Sequence, residues 1–135
     1  MPTGLYDLAR EAFLNADIDW SVDTVRVVFI DAADYTVNLA ADQFLSSVPA
    51  GARVGTPTAL AGKTSTIGVA DANDVVYASL TGDRSEAILI YQDTGVEATS
   101  RLIAYIDTGV NLPVTPAGSA VTIAWSNGAT RIFRL

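Results

Sequence analysis

The sequence predicts a mainly β fold: an antiparallel β-sandwich or jelly-roll-like domain with one N-terminal amphipathic α-helix. Three observations predict it. Short runs of β-branched and apolar residues recur from Val25 onward. Gly, Asn, Asp and Pro separate these runs at short intervals, as in sandwiches and barrels. Apolar residues at helical spacing mark the first turns of the chain.

The helix comes first. Leu5, Leu8, Ala9, Ala12 and Phe13 form one apolar stripe, with Thr3 as the expected N-cap and Asp7 suited to the dipole of the first turn. Residues 15–19 stop it. The stripe can pack on the domain's own sheet or dock on a partner. Trp20 opens the β region, and Val25-Arg26-Val27-Val28-Phe29-Ile30 reads as a strand buried on both sides. Residues 35–39 alternate and predict a short strand, and residues 42–45 a short helical turn. Pro49, Gly51, Gly55, Pro57 and Gly62 mark a stretch of turns and short strands.

Residues 63–69 predict an exposed or edge strand, residues 71–74 a turn, and residues 75–80 the next strand. Ala87 to Tyr91 and Leu102 to Ile106 are the two strongest later strands. Residues 120–125 and 131–135 predict a terminal hairpin around Ser126-Asn127-Gly128. No linker or low-complexity tract divides the chain. One domain is expected over residues 1–135, with a helical segment at 1–18 and a β domain at 20–135.

Composition narrows the function. A chain of 135 residues can bury a core without metal or disulfide staples. Half of its residues are hydrophobic and 17% are charged, which leaves apolar surface available to a partner. The net charge of −7 disfavours binding to nucleic acid and to anionic membranes. Without Cys there is no disulfide, thiolate metal site or Cys nucleophile; without His there is no Ser-His-Asp triad. The first residues lack a basic region and an apolar run, so they do not read as a signal peptide, and the mature protein is expected to begin at or next to Met1.

Several motifs invite a chemical reading. Asp93-Thr94-Gly95 and Asp107-Thr108-Gly109 each follow an apolar strand, as in acid proteases, where two such carboxylates share a proton. Their offset of 14 residues is too short for two lobes, and residues 88–96 echo residues 102–110 throughout. Two neighbouring antiparallel strands ending in the same kind of turn explain the echo better. Asp31/Asp34 and Asp71/Asn73/Asp74 offer oxygen donors but follow no EF-hand spacing. Gly62-Lys63-Thr64 lacks the Gly that a phosphate loop needs five residues earlier, where Pro57 stands. Trp20, Tyr35, Tyr77, Tyr91, Tyr105 and Trp125 could line a sugar-binding face or pack in the core. No catalytic residue, cofactor or metal ligand is assigned, and the chain is read as a non-enzyme.

Nearly the whole chain resembles a group of small virion structural proteins of tailed bacteriophages. The resemblance is carried by Leu5-Tyr6-Asp7 with Phe13-Leu14, Ile18-Asp19-Trp20, Tyr35-Thr36-Val37-Asn38-Leu39 and Phe44-Leu45-Ser46-Ser47-Val48-Pro49. It continues through Gly68-Val69-Ala70-Asp71, Ile90-Tyr91-Gln92-Asp93-Thr94-Gly95, Leu102-Ile103-Ala104-Tyr105-Ile106-Asp107-Thr108, Trp125-Ser126-Asn127-Gly128 and Ile132-Phe133. It implies a particle component made in the host cytoplasm, most like a capsid decoration (cement) protein on the outside of the head. Such proteins are commonly trimers and partner the major capsid protein. A tail, baseplate or connector protein is the alternative, with a carbohydrate- or receptor-binding module next. The expected partner contacts lie in residues 3–20 and 49–62, with Leu5, Leu8, Phe13, Trp20, Pro49 and Pro57 as candidate interface residues.

Overall fold

The most apolar runs of the sequence pair with one another. The computed structural model describes residues 4–109 and 111–135. Its elements are β1 (Gly4–Leu5), α1 (Asp7–Leu14), β2 (Val25–Ile30), β3 (Arg53–Ala59), β4 (Val69–Ala70), β5 (Val75–Tyr77), β6 (Ala87–Gln92), β7 (Leu102–Ile106), β8 (Val121–Ile123) and β9 (Phe133–Arg134). A five-stranded antiparallel sheet has the order β1-β7-β6-β2-β3. Two antiparallel ribbons, β4-β9 and β5-β8, complete the strand set. The fold class is therefore mainly β and antiparallel, with one α-helix near the N-terminus, as the sequence predicts.

Every residue of β6 and β7 is buried, and so is every residue of β2 except half-buried Arg26. Neighbouring side chains on a strand point to opposite faces, so both faces of the sheet centre are covered. On one face, the Phe29 ring meets Tyr77 of β5 edge-on at 5.1 Å, and the Tyr77 hydroxyl donates to the Val27 carbonyl at 2.9 Å. The β5-β8 ribbon thus forms part of a second layer, which makes the arrangement sandwich-like. On the other face, Tyr105 packs against Tyr35 from the connection between β2 and β3, at 6.1 Å.

Tyr35 also anchors a buried polar chain. Its hydroxyl donates to Asp42 at 2.6 Å and bonds the Tyr6 hydroxyl at 2.9 Å. Burial raises the pKa of both phenols, so both stay protonated at neutral pH. Helix α1 packs on β7 through its buried Ala9 and Ala12.

Several local expectations are corrected. Leu5 is not helical: it pairs with Ala104, because the Tyr6 and Asp7 amides are taken by the Ile103 and Leu39 carbonyls, and the helix starts only at Asp7. Tyr6 occupies the N-cap position without a side-chain cap bond, and Thr3 lies outside the described residues. Residues 35–39 form no strand. The Asp42 carboxylate binds the Asn38 amide and the Asn38 side chain accepts from Ala40, which bends the segment. The helical turn falls at Leu45–Ser47, since Gln43 and Leu45 bond instead to Leu102 and Ser100 at the start of β7.

The Gly/Pro-rich stretch holds a 3-10 turn at Ala50–Ala52 and then β3, a seven-residue edge strand. It stays in the sheet because its register slips between Val27 and Phe29, a bulge that absorbs Gly55 at φ 80° and keeps Pro57 on an edge. Residues 63–69 contain a 3-10 turn at Thr66–Gly68, and strand is confined to β4. The terminal hairpin does not form. Asp74 accepts the Trp125 amide and the Asn73 carbonyl accepts its indole N–H, which holds β8 against β5 while β9 goes to β4.

The sheet centre carries most of the stability. Ile90→Ala is expected to cost about 2–5 kcal/mol in urea unfolding, whereas exposed Leu14→Ala should stay within about 0.5 kcal/mol.

Candidate functional site

The chain turns sharply after α1. Ala16 adopts φ 62°, and the Asp17 amide bonds back to the Ala12 carbonyl. Ile18 and Trp20 are thereby returned to the core. The Asp19 carboxylate then accepts the Ser21 amide and hydroxyl and the Val22 amide, a local turn that leaves the Val22 side chain in solvent. The Ser21 hydroxyl bond, before the other contacts, holds the Asp19 carboxyl below the usual range.

The indole N–H of Trp20 donates to the Thr64 carbonyl at 2.9 Å, tying this turn to the segment before β4. Phe133 of β9 fills the space between: its ring lies edge-on to Trp20 at 5.3 Å and tilted against Phe13 at 6.0 Å.

These contacts leave an apolar groove at the surface. A cavity of about 330 Å³ is lined by Phe13, Ile18, Trp20, Ala70 and Phe133, among others. It adjoins a second of about 320 Å³ between Arg10, Phe13, Leu14, Arg134 and Leu135; Phe13 and Leu135 line both. The surroundings are unusually apolar for solvent-facing residues. Leu14 is 89% exposed, Ile67 83%, Val22 77% and Leu135 59%. Ile67 reaches solvent from a left-handed backbone at φ 51°, a conformation β-branched residues rarely adopt.

Of the six predicted interface residues, the structure brings together Phe13 and Trp20, both in the groove wall. Trp20 is itself buried and presents only an edge. Leu5 is buried in β1, Leu8 is half-buried on α1, Pro49 is exposed before the 3-10 turn and Pro57 is half-buried on β3; none of these four lines the groove. Sequence reasoning missed Phe133, Leu14, Ile67, Leu135 and Arg134. Leu14 did carry a signal, since it is a large apolar residue beside the stripe rather than within it.

The other motifs resolve into structural roles. β6 and β7 are antiparallel neighbours, so Asp93 and Asp107 stand at opposite ends of the sheet. The five residues of β7 separate the ends at roughly 3.4 Å each, and the two carboxylates of one chain cannot share a proton. Asp93 accepts the Gly95 amide at 2.8 Å and binds Arg26 at 2.5 Å, while Gly95 and Gly109 both take positive φ. The positive φ at both glycines is the feature the two copies share; Val110, the last residue of the echo, lies outside the described residues.

Lys63 donates to the Asp23 carbonyl and cradles no loop. All six aromatic residues considered for a sugar face are buried, so they offer no stacking platform. Asp31, Asp34 and Asp83 each bring a carboxylate oxygen within 4.8 Å of the others. They could hold a cation only with further ligands, since calcium takes about six to eight oxygens. Asp74 is engaged by Trp125. No helix among the described residues is long and apolar enough to cross a membrane.

Comparison with protein-family models finds none that matches this chain, and comparison with curated proteins finds no match.

The Arg26 bond, above all, holds the Asp93 carboxyl below its ordinary range. A depressed carboxyl contributes stability above its unfolded value and loses it as the pH falls through the folded one. Asp93→Asn should therefore cost up to about 1 kcal/mol at pH 7. That difference should shrink as the pH falls below the ordinary carboxylate range in urea titrations across pH.

Proposed function

We propose that this chain is a structural component of a tailed-phage particle: a capsid decoration protein that docks on the outside of the assembled head and stabilises the shell. The observation that carries the docking role is the apolar groove formed by Phe13, Trp20 and Phe133, with exposed Leu14 and Leu135 at its continuation. Solvent-exposed apolar side chains beside an apolar groove are a binding surface by the ordinary logic of protein surfaces. The full-length resemblance to small virion structural proteins supplies the particle setting. The role needs no reaction, cofactor or metal.

The mechanism is mass action. A protein that binds only the assembled lattice adds its binding free energy to the lattice, about 2.7 kcal/mol at a free concentration one hundred times Kd. A trimer engaging several lattice contacts at once would gain avidity without strong single contacts. A tail, baseplate or connector protein would use the same kind of face in far fewer copies. The buried aromatics weigh against the carbohydrate-binding alternative.

Deleting residues 2–16 would remove Leu5, Tyr6, Ala9 and Ala12 from the core and test folding rather than docking. The informative measurement is quantitative mass spectrometry of purified particles. A ratio near one chain per major capsid subunit, or one trimer per three-fold site, is expected. A handful of copies would move the chain to the tail or connector, and absence from particles would overturn the proposal.

A further inference from the structure

We infer that the groove receives a short segment of another protein in which a large apolar side chain lies beside an acidic one. The apolar side chain enters between Phe13 and Leu135, and the carboxylate meets Arg134. This deepens the docking proposal above and rests on it only in giving the groove a protein partner.

The charge distribution specifies the acidic residue. The chain carries 15 acidic and 8 basic side chains. Among the described residues, Arg10, Arg26, Arg53, Arg84 and Arg101 lie within ion-pair distance of carboxylates. Lys63 donates to the Asp23 carbonyl and Arg131 to the Asn127 side chain. Among the described residues, none forms an ion pair or a side-chain hydrogen bond with Arg134, although acids outnumber bases. Arg134 is exposed, and it stands on β9 at the wall of the second cavity, which Arg10 also lines.

Arg10 is engaged by Asp7 at 2.8 Å. Among the described residues, Arg134 is therefore the cation of this apolar slot without a carboxylate partner, and its planar guanidinium suits a carboxylate there. An occupant without an acid would leave it unpaired beside an apolar contact. A basic occupant would meet two like charges.

The backbone supports a built site. Among the described residues, the non-glycine residues with positive φ are Ala16, Ile67, Asn111 and Arg131. Ala16 lines the groove, and Ile67 lies between Ser65 and Gly68, which also line it. Such conformations persist where the surroundings over-determine them, and they cluster at binding sites. Here they end the helix beside Leu14 and hold the Ile67 side chain out in solvent.

A second copy of the chain fits less well. A two-fold contact centred on the groove would set Arg134 and Arg10 of one copy against the same residues of the other.

The test uses the full chain and a random peptide library displayed on filamentous phage. Enriched sequences, made as fluorescein-labelled peptides, are measured by anisotropy against the native protein, Leu14→Asp, Arg134→Glu and Arg134→Lys. Both positions are exposed, so thermal melts should match the native protein. Enriched peptides should place a large apolar residue next to Asp or Glu. Leu14→Asp and Arg134→Glu should each weaken them about tenfold or more, and Arg134→Lys less. Replacing the peptide's acid by Lys should abolish binding to the native protein and restore it to Arg134→Glu.

Failure to enrich any sequence, or equal binding to all variants, would overturn the inference. So would sedimentation showing self-association that Leu14→Asp abolishes, which assigns the groove to a second copy. The two proposals fail separately. Peptide binding without particle incorporation removes the shell role and leaves the groove; incorporation without peptide binding does the reverse.

Discussion

The central strands β2, β6 and β7 are apolar on both faces, and that fact constrains everything around them. A sheet buried on both sides needs two covering layers, and a chain of this length has no second large sheet to supply either. Cover is therefore assembled from small parts. The β5-β8 ribbon reaches one face through Tyr77, and the β2–β3 connection reaches the other through Tyr35. Each part is short, so each is fixed by specific hydrogen bonds rather than by its own regular structure. The Tyr77 bond to Val27 and the Tyr6–Tyr35–Asp42 chain serve that end.

Assembly from parts also explains where the groove lies. The end of α1, the turn through Trp20 and strand β9 converge from distant places in the chain and meet through aromatic rings. Phe133 lies edge-on to Trp20 and tilted against Phe13, which leaves space between the rings. The two cavities lie at that junction. A binding face at the join between covering elements can vary without disturbing the sheet beneath.

Most of the sheet was legible in the sequence, because β2, β6 and β7 are dense β-branched runs with no competing period. The Asp93-Thr94-Gly95 turn was legible too, since an Asp accepting an amide two residues on is a local event. The failures concern partnership. Ser126-Asn127-Gly128 has good hairpin chemistry, yet Trp125 is held by Asn73 and Asp74, some 50 residues away. The edge strand β3 was hidden because Gly55 and Pro57 are punctuation in sequence and a bulge in space. The groove was half legible: Phe13 and Trp20 were singled out, but Phe133 joins them across more than 100 residues. Leu5 read as helical because one strand residue beside a helix fits its stripe by coincidence.

The bulged edge of β3 bears on how copies of this protein tolerate crowding. An exposed strand edge is a template on which another chain can add its own backbone, and dense arrays make such encounters frequent. Here one edge of the sheet is occupied by Gly4–Leu5 and extended by the bonds from Gln43 and Leu45. The other is kinked by a register slip and interrupted by Pro57, which has no amide to offer. Neighbouring molecules packed side by side would thus find little backbone to zip onto, and their association would be governed by side-chain fit, which can be saturated, instead of by open-ended strand addition, which cannot.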